Sequence, residues 1–367
     1  MSEPRPGARA ESAAAPDISG ASCAVPLAHK DQIVLGHGSG GRLTHDLIRQ
    51  VFLKAFDNPA LAQGDDAACL DLPDSGRLAV TTDGHIVSPL FFPGGDIGRL
   101  AVCGTVNDLA MMGAVPLWLT ASFILEEGLA AETLQRIVDS MRTAANEAGV
   151  SIVAGDTKVA ERGKADGVFI HTTGVGRIPP GREVGGARAR AGDAILVSGT
   201  IGDHGMAVLA ARGGLDFAID VASDMAPLNE LVESMFAASE GSGELHVLRD
   251  PTRGGVATTL NEIARQSAVS MLLEEDAIPV RPAVASGCEL LGFDPLYVAN
   301  EGKLVAIVSP GAADEVLAAM RAHPLGRDAN RIGVVQDGPA GRVGMRTRLG
   351  TTRVVDMLSG EMLPRIC

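Results

Sequence analysis

Residues 97–112 read Ile-Gly-Arg-Leu-Ala-Val-Cys-Gly-Thr-Val-Asn-Asp-Leu-Ala-Met-Met (IGRLAVCGTVNDLAMM). Small and apolar residues crowd this stretch, and they predict a helix buried within the domain. Upstream, Leu78 to Thr82 reads as a strand ending at Asp83. Downstream, Leu117 to Leu125 reads as a second strand. Leu134, Ile137, Val138 and Met141 then follow the i, i+3, i+4, i+7 spacing of an amphipathic helix, and Gly149 is placed to stop it. Val150 to Ala154 predicts a short buried strand and Val168 to Val175 another.

Arg177 to Arg190 holds Pro179, Pro180, four arginines and three glycines, the composition of a connection between domains. A second α/β pattern follows: a strand over Ala194–Val197, a helix over Gly255–Gln266, a strand over Leu304–Val308 and a helix over Ala312–Ala322. The alternation predicts an α/β (α+β) protein of two domains, each a sheet with helices packed on it. The expected boundaries are a disordered extension over 1–30, an N-terminal domain over 31–180, a C-terminal domain over 181–355 and a mobile tail over 356–367.

Composition narrows the function. The chain of 367 residues exceeds one ordinary core. A net charge of −14 and a single Trp and Tyr argue against a nucleic-acid footprint or a base-stacking platform. An acidic protein still holds an anionic nucleotide where metal ions bridge carboxylate to phosphate. Five scattered cysteines without a C-x-x-C pair form neither a disulfide framework nor a zinc site, and fit a reducing cytoplasm. No stretch is apolar enough to span a membrane, and residues 1–30 lack a signal-peptide core.

Four acidic positions stand at element ends: Asp65-Asp66, Asp83, Asp108 and Asp156. Each alone also serves as a helix cap or turn former. Together, among small and apolar residues, they suit Mg²⁺, a hard cation that bridges oxygen ligands to phosphates. Gly36 to Gly41 (GHGSGG) satisfies G-x-G-x-x-G, but the preceding apolar run is three residues and no clear βαβ unit follows. A phosphate-facing loop and a plain turn both remain open there. Asp250 to Gly255 (DPTRGG) precedes a helix, so Arg253 either grips phosphate or belongs to a capped turn. Glu301, in Asn300 to Lys303 (NEGK), is a base or a turn residue. The chain finishes Pro364-Arg365-Ile366-Cys367, a thiol on the terminal residue.

Taken together, these segments resemble the HypE family of hydrogenase maturation proteins, in the superfamily of aminoimidazole ribonucleotide synthetase and selenophosphate synthetase. The likeness is carried by Gly38 to Gly41, Pro89 to Met112, Phe123 to Gly128 (FILEEG), Gly155 to Val159 (GDTKV), DPTRGG, NEGK and the terminal PRIC, over roughly residues 31–367. It implies N-terminal domains paired in a homodimer and an ATP site near their interface. It implies that a carbamoyltransferase, HypF, loads Cys367, that ATP-dependent dehydration turns the thiocarbamate into a thiocyanate, and that the cyano group passes to iron on a HypC–HypD complex. On this reading Asp66, Asp83 and Asp108 hold Mg²⁺. Gly38, Ser39, Gly40, Gly41 and Asn107, with Asp65, Asp156 and Asp250, attend the nucleotide. Lys158 or Arg253 steadies phosphate or substrate oxygen, and Glu301 is the base. About eleven residues from Asp356 to Cys367, at ~3.3–3.6 Å each, reach on the order of 35–40 Å, enough to visit a partner's site. Two other readings share the features: another ATP-using synthetase of the superfamily, and a non-enzymatic thiol carrier. Selenophosphate synthetases carry Cys or selenocysteine in the glycine-rich loop, where this chain has Ser39. A carrier needs no carboxylate cluster.

Overall fold

A computed structural model describes residues 41–47, 49, 63–66, 68–71, 76–213, 219–239, 244–358, 363 and 365–367. Gly38, Ser39, Gly40 and the expected extension lie outside the described residues.

After a short helix α1 (Arg42–Leu47), the N-terminal region builds β1 (Ala68–Asp71), β2 (Arg77–His85), a small hairpin of β3 (Phe91–Phe92) and β4 (Gly95–Asp96), α2 (Ile97–Met111), β5 (Val115–Glu126), α3 (Ala131–Ala148), β6 (Ser151–Ala160) and β7 (Val168–Ile178). Five strands form one sheet in the order β1-β2-β7-β5-β6, antiparallel except for the β5–β6 pair. Asp96 caps α2 by accepting from the N–H groups of Gly98 (2.7 Å) and Arg99 (3.2 Å). Helix α2 lies on the inner face of this sheet and α3 packs on α2. Gly149 ends α3 in the left-handed conformation at φ 70°.

The second region contains β8 (Ala194–Val197), α4 (Asp203–Ala211), α5 (Asn229–Ala238), β9 (Leu245–Arg249), α6 (Gly255–Gln266), β10 (Ser270–Glu274), α7 (Pro282–Leu291), β11 (Val305–Val308), α8 (Ala313–Ala322), β12 (Asn330–Gln336), β13 (Arg342–Arg346) and β14 (Thr352–Val354). Its seven strands run β14-β13-β10-β12-β8-β11-β9. The run Ala194–Val197 is continuously apolar because the sheet is covered on both faces. Ala194 and Leu196 enter the core under α5 and α8, while Ile195 and Val197 enter the core under α6. Ala110 and Met111 of α2 reach into the first of these cores, so α2 is shared by both regions. The buried character read from residues 97–112 has that cause.

One expectation changes. Of the expected buried strand Val150–Ala154 only Val150 is buried; residues 151–154 open a ten-residue edge strand, β6, that is exposed almost throughout. Described parts of the segment from Asp356 lie docked. Asp356 C=O accepts from the Tyr297 hydroxyl (2.9 Å), Met357 is buried, and Ile366 bridges Val87 and is 4% exposed. No helix among the described residues is long and apolar enough to cross a membrane.

Candidate active site at the junction of the two regions

A cavity of about 170 Å³ opens where the two regions meet. Asp66, Asp83, His85, Asp108, Asp250, Thr252, Arg253, Glu301 and Cys367 line it, together with Gly84 and Gly104. Strand β2 supplies Asp83 and His85 from one face, since they are two residues apart. Gly104 of α2 lets them settle on the helix: a Cβ there would stand 3.2 Å from both Asp83 Oδ2 and His85 Cε1. Helix α2 adds Asp108. The turn after β9 adds Asp250, Thr252 and Arg253. That turn needs Gly254 (φ 79°) and Gly255 (φ 61°) in succession, and a Cβ on Gly255 would lie 2.4 Å from Leu296 O. Asn300 joins this turn to Glu301, donating from Nδ2 to Pro251 C=O (2.8 Å).

Cys367 is brought in by a row of contacts along the tail. Its C=O accepts from Ile86 N–H (3.0 Å), Ile366 C=O pairs with His204 Nε2 (2.7 Å), and Arg365 C=O accepts from Ser88 N–H (3.2 Å) and Arg212 Nη2 (2.7 Å). Arg365 also pairs with Asp166. At the end of this track Arg253 Nη1 donates to Cys367 Sγ at 3.1 Å.

The cavity is acidic, and its titrations reflect burial plus mutual repulsion. Burial, reinforced by Asp66, pushes Asp250 up to about 8. Burial lifts Asp66 to about 6 against the pull of Arg249. Asp108 stands well above the usual carboxylate range through burial and the charges of Asp250, Asp83 and Asp66. Glu301 does too, through burial and then Asp250 and Asp83. Burial raises the Cys367 thiol to about 12, opposed by Arg253, so the docked thiol is protonated at neutral pH. Burial lowers His85 and keeps it neutral. Asp66 Oδ2 and Glu301 Oε1 are buried with no hydrogen-bond partner among the described residues.

Of the residues singled out in the sequence, Asp66, Asp83, Asp108, Asp250, Arg253, Glu301 and Cys367 converge here. The metal set is looser than expected: among the described residues no three Asp, Glu, His or Cys close into a metal-holding group. Asp66 Oδ1 is drawn to Arg249 Nη1 (2.5 Å) and Asp108 Oδ2 accepts from the Thr81 hydroxyl (2.6 Å). Lys158 and Asp156 are not in the cavity. The β-register aligns Gly84, His171, Ser122 and Asp156 across the sheet, so Asp156 and Lys158 share the face opposite α2 and Asp83. There Lys158 Nζ pairs with Asp156 at 2.7 Å and holds its carboxyl below the usual range. Asp65 accepts from Gly186 N–H (2.9 Å) and fastens the segment between the regions. Asn107 is fully buried and spends its amide on backbone groups, so the nucleotide role expected for it is not supported. Gly41 packs so tightly that a Cβ would stand 2.3 Å from Leu358 O. Sequence reasoning passed over His85 and Thr252 as lining residues, although alternation from Asp83 and the DPTRGG run could have found them.

The AIR synthase related N-terminal domain matches residues 64–178, and the AIR synthase related C-terminal domain matches residues 190–346. The carbamoyl dehydratase HypE of Cupriavidus necator is 60% identical over 336 residues, covering 92% of this chain and 95% of the relative. The chain belongs to the HypE family of carbamoyl dehydratases. It is thus an enzyme of hydrogenase maturation, which sets aside the non-enzymatic carrier. A solved HypE in complex with ATP is 54% identical, with TM-score 0.76 and coverage of 92% of this chain and 100% of that one. A HypE–HypF complex is 50% identical, with TM-score 0.80 and coverage of 85% and 99%.

Proposed function

We propose that this HypE-family protein dehydrates an S-carbamoyl group on its own Cys367 to a thiocyanate at the expense of ATP. The observation that carries the reading is the position of Cys367 Sγ, 3.1 Å from Arg253 Nη1 and inside the same cavity as Glu301. An amide-like oxygen is a poor leaving group. Transfer of the terminal phosphoryl of ATP to the carbamoyl oxygen makes an S-linked imidate phosphate. Loss of the remaining N–H proton and of phosphate then leaves S–C≡N, ADP and inorganic phosphate, so the water formally lost ends in phosphate. Arg253 stabilises charge on the carbamoyl oxygen and the leaving phosphate. Glu301 takes the N–H proton, and its raised affinity for protons makes its ionised form a stronger base than an exposed Glu.

A cavity of about 170 Å³ has room for the carbamoyl group on Cys367 beside Arg253 and Glu301. Mg²⁺ suits the donors in kind, and they would have to draw together around it. Hard carboxylate oxygens line the cavity, their mutual repulsion calls for a cation, and Asp66 Oδ2 is orphaned. Asp83, Asp108 and Asp66 would hold it, with Asp250 beside them. When bound it would neutralise phosphate charge.

HypF is the proposed donor of the carbamoyl group, and a HypC–HypD complex the proposed acceptor of the cyano group for the hydrogenase iron. A homodimer is proposed through the open face of the first sheet. Trp118 (51% exposed) and Ile124 lie there, beside β6, the edge strand among the described residues, with its exposed Val159 (68%). A second copy on that face would cover Lys158 and Asp156 and bring them back to the nucleotide question. Substituting Cys367→Ala tests the reading. It should abolish cyano-group formation while leaving ATP binding intact, and product from that variant would refute it.

A further inference from the structure

Glu301 is gripped through its backbone by two side chains from other parts of the fold. Its N–H donates to Asp224 Oδ1 at 3.1 Å, and its C=O accepts from Asn107 Nδ2 at 3.1 Å. Asn107 spends the rest of its amide on the segment beyond Asp224: Nδ2 donates also to Ala226 C=O (3.1 Å), and Oδ1 accepts from Leu228 N–H (2.8 Å). Asp224 Oδ2 lies 3.4 Å from Lys303 Nζ. The fit leaves no slack, since a Cβ on Gly302 would fall 1.8 Å from Asp224 O. The Glu301 carboxyl enjoys no comparable hold, for its Oε1 has no hydrogen-bond partner among the described residues although the residue is 3% exposed. Its aim into the cavity is therefore set by the peptide that carries it.

We propose that Asn107 and Asp224 are positioning residues for Glu301, fixing its peptide against α2 so that its carboxyl meets the substrate carried by Cys367. The inference rests on the reading of Glu301 as the base. Asn107 precedes Asp108 in α2, so one turn of helix sets both a proposed cation ligand and the base. A misplacement of about 1 Å costs on the order of 100-fold in rate. The Asp224 arm of the grip is thus a sensitive control over the proton transfer and a weak one over nucleotide affinity.

The test uses the full-length protein, carbamoylated on Cys367, in single-turnover dehydration with Mg²⁺-ATP. Asp224→Ala and Asp224→Asn both remove the charge facing Lys303, but only Asn keeps an acceptor for the Glu301 N–H. The expected result is a fall of about 10–100-fold in rate for Asp224→Ala with its ATP dependence unchanged, and recovery toward the unsubstituted rate in Asp224→Asn. Asn107→Asp, which keeps the shape and loses both donors, should repeat the loss. In the Glu301→Gln background Asp224→Ala should add little. The inference is overturned if Asp224→Asn is as slow as Asp224→Ala, or if Asp224→Ala slows Glu301→Gln by its full factor. A normal rate in Glu301→Gln alone removes the base reading itself, and the positioning inference with it.

Discussion

Replacing Ile366 by Ala should release Cys367 from the cavity without unfolding the protein. Ile366 is 4% exposed and sits in the core formed with α2, α3 and the first sheet, although it is the penultimate residue. The substitution removes three buried carbons at about 0.8 kcal/mol each, about 2.4 kcal/mol in all, which is roughly a 60-fold shift of the docking equilibrium. The hydrogen bonds to the 365–367 carbonyls use only the backbone of the tail and survive the change, so docking weakens and does not vanish. The docked thiol, raised to about 12, is nearly unreactive at pH 8, and alkylation therefore proceeds through the undocked form. Iodoacetamide labelling at that pH, read on the C-terminal peptide by mass spectrometry, should accelerate by a factor of that order. Buried Cys103 and Cys288 should keep their slow rates. An unchanged labelling rate at Cys367 would refute the docked pose.

Three further outcomes are expected. Arg253→Lys keeps a charge but loses the planar fork, and should slow dehydration by about 10–1,000-fold while sparing carbamoylation of Cys367; single-turnover rates and the mass of the loaded protein separate the two steps. Asp83→Asn should weaken Mg²⁺-ATP binding by calorimetry, and an unchanged affinity would remove it from the cation set. His204 is buried, and burial holds its pKa below 6.5 although Asp224 pulls the other way. The unfolded chain then binds the proton first, so this contribution to stability is whole above pH 6.5 and is lost as the pH falls below it. Melting midpoints should decline on acidification below that point, and the decline should be smaller in His204→Gln.

Much of the fold was readable because its periodicities are local. The limits of α2, α6 and β8 follow from the order of residue types along each run, although what each run packs against lies far away in sequence. Strand β6 was misjudged because Ile152 and Val153 are as apolar as core residues yet stand 40% and 59% exposed. Composition does not distinguish a core from a surface. Lys158 and Asp156 were found as a motif, but the face they occupy depends on pairing with β5 and β7. Glu301 and Cys367 are linked by no sequence spacing and meet only through tertiary structure. Asn107 shows the same limit from the other side: its role is set by Glu301 and by Ala226 and Leu228, all more than a hundred residues away.

The central claim is that dehydration takes place on Cys367. The protein is carbamoylated on Cys367 with cyanate in the absence of ATP, desalted, and then given or denied Mg²⁺-ATP, and the C-terminal peptide is weighed. The account predicts a carbamoyl adduct on Cys367 that loses the mass of one water only when ATP is supplied. An adduct that persists in the presence of ATP, or a product formed with Cys367 unmodified, would contradict it.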